Sequence, residues 1–337
     1  MKKALLYSIF ALSIASTTLT SCEDIFGGFL DKQPSNELTG EQVFSDWNLT
    51  VQFHLDTYNF LRHGAGRIST TWLDAATDLA ETSYGNGVRT SFNIGNFYGG
   101  SGASELVDTW EHYYRGIRKC NMLLTRIEEV PQNPADSEDK YNRDKKNYIA
   151  EARFLRAYFY WELFLRYGPI PIVTEVLDPD GDLMSKYTIR PTTKEYVVDF
   201  ILEELKSCED DLLDYKTAWT SSSAGRIGQP MACALRSRIM LFMASPRYSS
   251  ESGITWQQAA NVAKEFIDNY GTNFALFNDK DATGATLGIE NYTNALLRTA
   301  YQGSNKEVIF YRNDDKQNWG NIKNDTPVGS RRPSGLR

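Results

Sequence analysis

The chain is poor in the residue types on which most hydrolytic and metal-binding sites depend. Only three histidines occur in 337 residues, His54, His63 and His112, and none forms the close pair that zinc hydrolases use. Cysteine is as scarce: Cys22, Cys120, Cys208 and Cys233 do not make a disulfide framework. The last three fall on or beside apolar helical stripes and read as small buried hydrophobes. No nucleophile elbow, phosphate loop or dinucleotide fingerprint stands in the right context. Basic charge is in deficit, with 36 Lys and Arg against 43 Asp and Glu and a formal net charge of −7. That balance opposes nucleic-acid binding, which needs a basic surface to neutralise phosphates. Long apolar runs are also missing, since Ala4 to Ile14 falls short of the ~20 residues that cross a bilayer.

That short run nevertheless has a use. Lys2 and Lys3 precede it, and Leu19-Thr20-Ser21-Cys22 closes it with small residues and a cysteine, the layout of a bacterial lipoprotein export signal. Residues 1–21 are therefore expected to be removed and Cys22 to become the acylated first residue. Buried acyl chains contribute ~0.8 kcal/mol per CH₂, enough to anchor a protein without a membrane helix. An ordinary secretory signal with a nearby free cysteine is the alternative. Residues 22–40, containing Gly27, Gly28, Pro34 and Gly40, read as a tether.

From residue 41 to 271 the pattern is helical. Thr39 and Gln42 form a capping-box pair for a helix running towards Arg62. In Glu105 to Val130, Leu106, Trp110, Tyr113, Ile117, Cys120, Leu124 and Ile127 recur at helical spacing on one face. Lys140 to Tyr167 carries two stripes: Tyr148, Ala152, Leu155, Phe159 and Leu163, then Phe154, Tyr158, Trp161 and Leu165. Such a helix must pack on two sides. Gly168-Pro169-Ile170-Pro171 ends it, through a left-handed glycine cap and two prolines. Thr192 to Leu213, with a Thr192/Glu195 capping box, Pro230 to Ala244, and Trp256 to Asn269 follow as further helices. The last is expected to bury Trp256, Ala259, Ala260, Ala263, Phe266 and Ile267. The fold class is all-α, with tetratricopeptide-like paired helices, long irregular loops and little β. Residues 272–337 read as an irregular region with one strand-like run at Val308 to Tyr311.

Signals for catalysis or metal binding all have a plainer competitor. Asp74, Asp78 and Glu81 would share a helix face, as would carboxylates on any solvated helix, whereas glycoside hydrolysis needs them across a cleft. Asp178, Asp180 and Asp182 resemble a calcium loop, but Gly181 comes one position early for an EF-hand and Ile189 stands where a bidentate Glu belongs. A simple turn fits better. No cofactor is implied. Binding groups are better supplied, with 19 Tyr and 7 Trp. The Tyr84 to Ser104 loop interleaves aromatics and amides, among them Tyr84, Asn86, Phe92, Asn96, Phe97 and Tyr98, and Trp319 stands among amides in the tail. Sugars present flat apolar faces edged by hydroxyls, which such groups can hold. The alternative is that the same rings plug the loop onto the helices.

An ordered series of segments resembles the SusD/RagB surface lipoproteins of the Bacteroidetes. It comprises Cys22, then Phe29-Leu30-Asp31, Trp110 to Asn121 in the pattern Trp-x-x-x-Tyr-x-x-Ile-x-x-x-Asn, and Glu151-Ala-Arg-Phe-Leu-Arg-Ala-Tyr-Phe-Tyr-Trp-Glu-Leu163. Tyr167-Gly-Pro-Ile-Pro171, Arg190-Pro-Thr192 and Glu307-Val-Ile-Phe310 follow in order. Glu23 and Asp24, directly after the anchor, resemble the group's surface-export signal, although a solvated tether accounts for them equally. The resemblance implies a non-enzymatic lipoprotein on the outer membrane, facing the exterior. It would capture oligosaccharide, or in some members peptide, and act as the lid of a SusC-like TonB-dependent transporter. Loosely, it assigns ligand contact to the aromatic loop residues and Trp319. Family members usually run longer, so 272–337 reads as the start of a truncated second region. A tethered glycoside hydrolase and a protein-binding helical scaffold are the alternatives.

Overall fold

The structure, a computed structural model, describes residues 39–62, 67–68, 71–72, 77–78, 95, 104–178, 180–181, 187–218, 220, 223, 225–297 and 305–311. Cys22, Asp74, Glu81, Tyr84, Asn86, Phe92, Asn96, Phe97, Tyr98, Asp182 and Trp319 lie outside the described residues.

Among the described residues the protein is helical, apart from one short antiparallel ladder of Arg67–Ile68 (β1) and Thr71–Trp72 (β2). The chain divides into two compact units, 1–43 and 44–337. In the first, the Thr39/Gln42 box forms as expected, with Thr39 N donating to Gln42 Oε1 at 2.8 Å and Gln42 N to Thr39 Oγ1 at 3.3 Å. The helix it opens, α1 (Gly40–Phe44), does not run on to Arg62. Asp46 interrupts it: its carboxylate accepts from Leu49 N at 2.9 Å and caps a new helix, α2 (Trp47–Asp56). A carboxylate at that position satisfies an amide that a continuous helix would have used internally.

The centre of the body is an antiparallel hairpin of α3 (Ser104–Arg126) and α4 (Glu138–Tyr167). Cross-helix contacts fix the direction. Near the connecting turn Lys145 Nζ lies 2.9 Å from Glu128, midway Arg156 Nη1 lies 2.9 Å from Asn121 Oδ1, and further along Tyr113 stacks on Phe159 with centroids 5.5 Å apart. The two helices come together at Gly116, where a Cβ would stand 2.7 Å from Phe159 Cε2. Only a residue without a side chain allows that approach. Both expected stripes of α4 pack: Ala152, Phe154, Leu155, Phe159, Trp161 and Leu163 are buried, while Leu165 at the end of the second stripe is exposed.

The opposite flank of α4 packs on a helical stretch that begins as π-helix (Lys194–Leu202) and continues as α5 (Glu203–Cys208), again antiparallel. Arg156 meets Glu204, Tyr160 meets Phe200 and Phe164 meets Tyr196 in descending order. The sequence pattern expects one uninterrupted α-helix over 192–213; the observed segment changes pitch and finishes in a 3₁₀ turn, Glu209–Asp211. Its capping box is as expected, with Thr192 N to Glu195 Oε2 at 2.7 Å. Then α6 (Gln229–Met243), with Pro230 in its first turn, pairs with α7 (Trp256–Tyr270). The body is thus a stack of paired helices of tetratricopeptide-like design.

Several expectations need correction. On α7 only Ala259 of the expected apolar face is buried, and Trp256 and Ile267 are exposed, because no described element covers its outer side. On α3, Trp110 is 40% exposed. Gly168 has φ 67° and ψ −158°, outside the left-handed helical region but still in territory that needs glycine. The tail contains a helix, α8 (Gly288–Leu297), and residues 308–311 form no strand; Ala275 N donates to Lys306 O at 3.2 Å beside them.

Candidate functional site

A cleft of about 380 Å³ opens between α3 and the irregular segment 171–177. Helical spacing sets Trp110, Tyr114, Ile117, Arg118 and Asn121 along the α3 wall. Trp110 is held in place by Tyr114, centroids 4.9 Å apart, and by Tyr167, 5.2 Å away and nearly perpendicular. Val173, Glu175 and Leu177 supply the other wall.

That second wall has no regular structure, so its carbonyls need partners from elsewhere. Helix side chains supply them. Tyr114 Oη donates to Pro171 O at 3.0 Å, Asn121 Nδ2 to Val173 O at 2.9 Å and Glu175 O at 3.0 Å, and Arg118 Nη1 to Leu177 O at 3.2 Å. Tyr160 Oη both donates to Val173 O at 3.0 Å and accepts from Val173 N at 2.7 Å. Asn121 is itself oriented by Arg156, which also binds Glu204 at 2.6 Å, and Arg153 binds the other oxygen of Glu204 at 2.9 Å. The Arg-rich segment of α4 therefore braces the cleft from beneath. On the rim, Glu111 and Arg115 face each other at 3.8 Å and are mostly exposed, and Tyr187 Oη donates to Glu175. An aromatic face beside charged and hydrogen-bonding edges can seat a flat, hydroxylated ligand.

A second constellation looks catalytic in composition but is sealed. Glu151 is wholly buried and accepts from His54 Nε2 at 2.8 Å, Tyr58 Oη at 2.7 Å and Arg226 Nε at 2.9 Å. Tyr58 Oη in turn accepts from Ile227 N at 3.1 Å. Burial alone would raise the Glu151 carboxyl; the Arg226 charge and the His54 bond outweigh it and hold the carboxyl below its usual range. Burial, with the Glu151 charge, pushes the Tyr58 phenol far upward. This group ties α2, α4 and the turn before α6 together. Sequence reading missed it because the partners of Glu151 lie 75 to 97 positions from it, on both sides along the chain; the one available signal was a glutamate inside an otherwise apolar helical stripe.

Among the described residues, one set of side chains has metal-like proximity: Glu209, Cys233 and Glu265, with ligand atoms within 4.8 Å of one another. A guanidinium already fills the cation's place, with Arg236 Nη1 2.5 Å from Glu209 and Nη2 3.2 Å from Glu265. Burial also pushes the Cys233 thiol up to about 11, against the thiolate a metal requires. At 178–181 the turn reading fits: Asp178 Oδ1 accepts from Asp180 N at 3.0 Å, and Gly181 N donates to Asp178 O at 3.1 Å. Asp78 is exposed.

Comparison with known proteins gives a consistent picture. A SusD-like family model described as starch-binding and associating with the outer membrane matches residues 28–241. SusD-like protein P38 of Formosa agariphila is 24% identical over 228 residues, which is 66% of this chain and 41% of that protein. A solved SusD-like protein from Bacteroides fragilis superposes with a TM-score of 0.60 at 25% identity, covering 84% of this chain and 48% of the other. A SusD superfamily protein from Parabacteroides distasonis gives 0.51 at 21% identity, covering 68% and 47%. A laminarin-binding SusD-like protein gives 0.51 at 20%, covering 72% and 47%. The chain thus spans about half the length of these solved structures, or less of the curated relative. With the family model matching well over half of its residues, on a body of paired helices, the chain belongs to the SusD-like proteins, described as starch-binding and associating with the outer membrane.

Proposed function

We propose that this protein is a lipoprotein anchored to the outer membrane through Cys22 and facing the cell exterior, which captures oligosaccharides and passes them to a SusC-like TonB-dependent transporter. The observation that carries the reading is the family match over 28–241, because that family is described by starch binding and outer-membrane association. Relatives of the same fold carry a carbohydrate ligand in their names, including the laminarin-binding protein. Tyr84, Asn86, Phe92, Asn96, Phe97, Tyr98 and Trp319 are the proposed ligand contacts. Binding without turnover suits the Trp110 cleft as well. Its two carboxylates, Glu111 and Glu175, are exposed and engaged by Arg115 and Tyr187, whereas a glycosidase needs one carboxyl kept protonated in an apolar setting.

Two measurements test the proposal. In affinity electrophoresis through gels containing starch, laminarin, xylan or mannan, one glycan should retard the protein and be recovered uncut. Palmitate labelling should mark the wild type and not Cys22→Ser. Migration unaffected by every glycan, or release of shorter sugars, would refute capture without catalysis; labelling that survives the substitution would refute the anchor.

A further inference from the structure

We propose that the cleft beside Trp110 is a glycan subsite built by α3 and the 171–177 segment, and that it takes neutral sugars in preference to acidic ones. The inference rests on oligosaccharide capture as proposed above.

Three features of the cleft lead to it. First, helical periodicity assigns Trp110 to the buried face, yet the residue is 40% exposed while Tyr113 and Ile117 on the same stripe are sealed. It is not loose: Tyr114 and Tyr167 fix its ring, so a flat surface is ready before any ligand arrives. Preorganisation of this kind lowers the ordering cost of binding. Second, the facing wall is held still by the side-chain bonds to the carbonyls of Pro171, Val173, Glu175 and Leu177. The space, about 380 Å³, lies near the lower end of the roughly 300–1,000 Å³ typical of small-molecule sites. That suits a short run of pyranose rings and is small for a folded partner. Third, the charges at the edge balance, with Glu111 and Glu175 set against Arg115 and Arg118. Arg118 is committed to Leu177 O and Arg115 faces Glu111. A uronate or sulfate would find no surplus positive charge and would meet two carboxylates, whereas neutral hydroxyls can both donate to the carboxylates and accept from the guanidinium groups.

Isothermal titration of the purified protein with malto-, laminari-, xylo- and mannohexaose and with oligogalacturonate tests the proposal, using wild type, Trp110→Ala and Trp110→Phe. Thermal melts of each variant confirm that it folds. Trp110→Ala should bind the preferred neutral hexaose at least about tenfold more weakly, as truncation of a central aromatic anchor does elsewhere, and Trp110→Phe should stay within about threefold of wild type, because it keeps a flat face. If a folded Trp110→Ala binds that sugar as wild type does, the subsite is refuted while capture through the loop stands. Preference for oligogalacturonate would refute the neutral class alone. Failure of wild type to bind any glycan would overturn both the subsite and the capture it rests on.

Discussion

Replacing Glu151 by glutamine probes the link between the Glu151–Leu163 segment of α4 and the stability of the body. The carboxylate is fully buried and is the shared acceptor for His54, Tyr58 and Arg226. Glutamine keeps the shape but removes the charge that balances a largely buried guanidinium, and its amide turns donors towards donors. Breaking one partner of a buried ion pair costs about 3–5 kcal/mol. The separate hydrogen bonds cannot be added to that figure, because they belong to one network. Against a total stability of ~5–15 kcal/mol the loss is large, and at ~2–4 °C per kcal/mol for a body of this size it corresponds to a melting point lowered by roughly 10 °C. The sign of the pH effect follows from the depressed Glu151 carboxyl. Its contribution is present above the unfolded carboxyl's ordinary value and is lost as pH falls through the depressed folded value. Wild type should therefore lose stability in acid more steeply than Glu151→Gln. Urea melts at neutral and acid pH measure both quantities. A neutral-pH loss below about 1 kcal/mol, or parallel acid limbs, would refute the account of the network.

Gly116→Ala should destabilise the α3–α4 hairpin despite alanine's better helix propensity of ~1 kcal/mol. Its Cβ would stand 2.7 Å from Phe159, and overpacking costs ~1–3 kcal/mol; a stabilised variant in thermal melts would count against the close approach. Burial pushes the thiols of Cys120 and Cys208 up to about 12 and that of Cys233 to about 11, so at pH 8 a thiol reagent should label these three only after unfolding. Rapid native labelling of any of them by mass spectrometry would contradict the packing. Tyr160→Phe removes the hydroxyl that both donates to and accepts from Val173. A loss of ~1–3 kcal/mol is expected, with faster hydrogen exchange confined to 171–177; unchanged exchange there would show that the cleft wall is held by other means.

The long amphipathic patterns were legible because burial is periodic. Two apolar stripes on one helix require neighbours on both sides, and α4 has α3 on one flank and the 194–208 helix on the other. Helix starts were legible where the capping residues sit in sequence, as at Thr39 and Thr192. The Asp46 cap is not legible in the same way, because it falls inside what the Thr39 box suggests is a single helix running towards Arg62. Trp110 and Trp256 show the limit of the pattern: periodicity tells which face a residue is on but not whether another element covers that face. The cleft wall could not be read for a different reason. Its shape comes from carbonyls of 171–177 accepting bonds from residues more than 50 positions earlier on α3, and nothing local in 171–177 encodes that. The His54–Glu151–Arg226 contact is likewise a product of the tertiary fold. The proposed ligand contacts, Tyr84, Asn86, Phe92, Asn96, Phe97, Tyr98 and Trp319, rest on composition and resemblance, which locate aromatic and amide groups in the chain but not their geometry.

Calorimetric titration of the wild-type protein with neutral oligosaccharides, followed by chromatography of the recovered sugar, tests the central claim most directly. The account predicts saturable heat with at least one neutral glycan and return of that glycan at full length. Heat that never saturates with any sugar, or recovery of shortened chains, would contradict it.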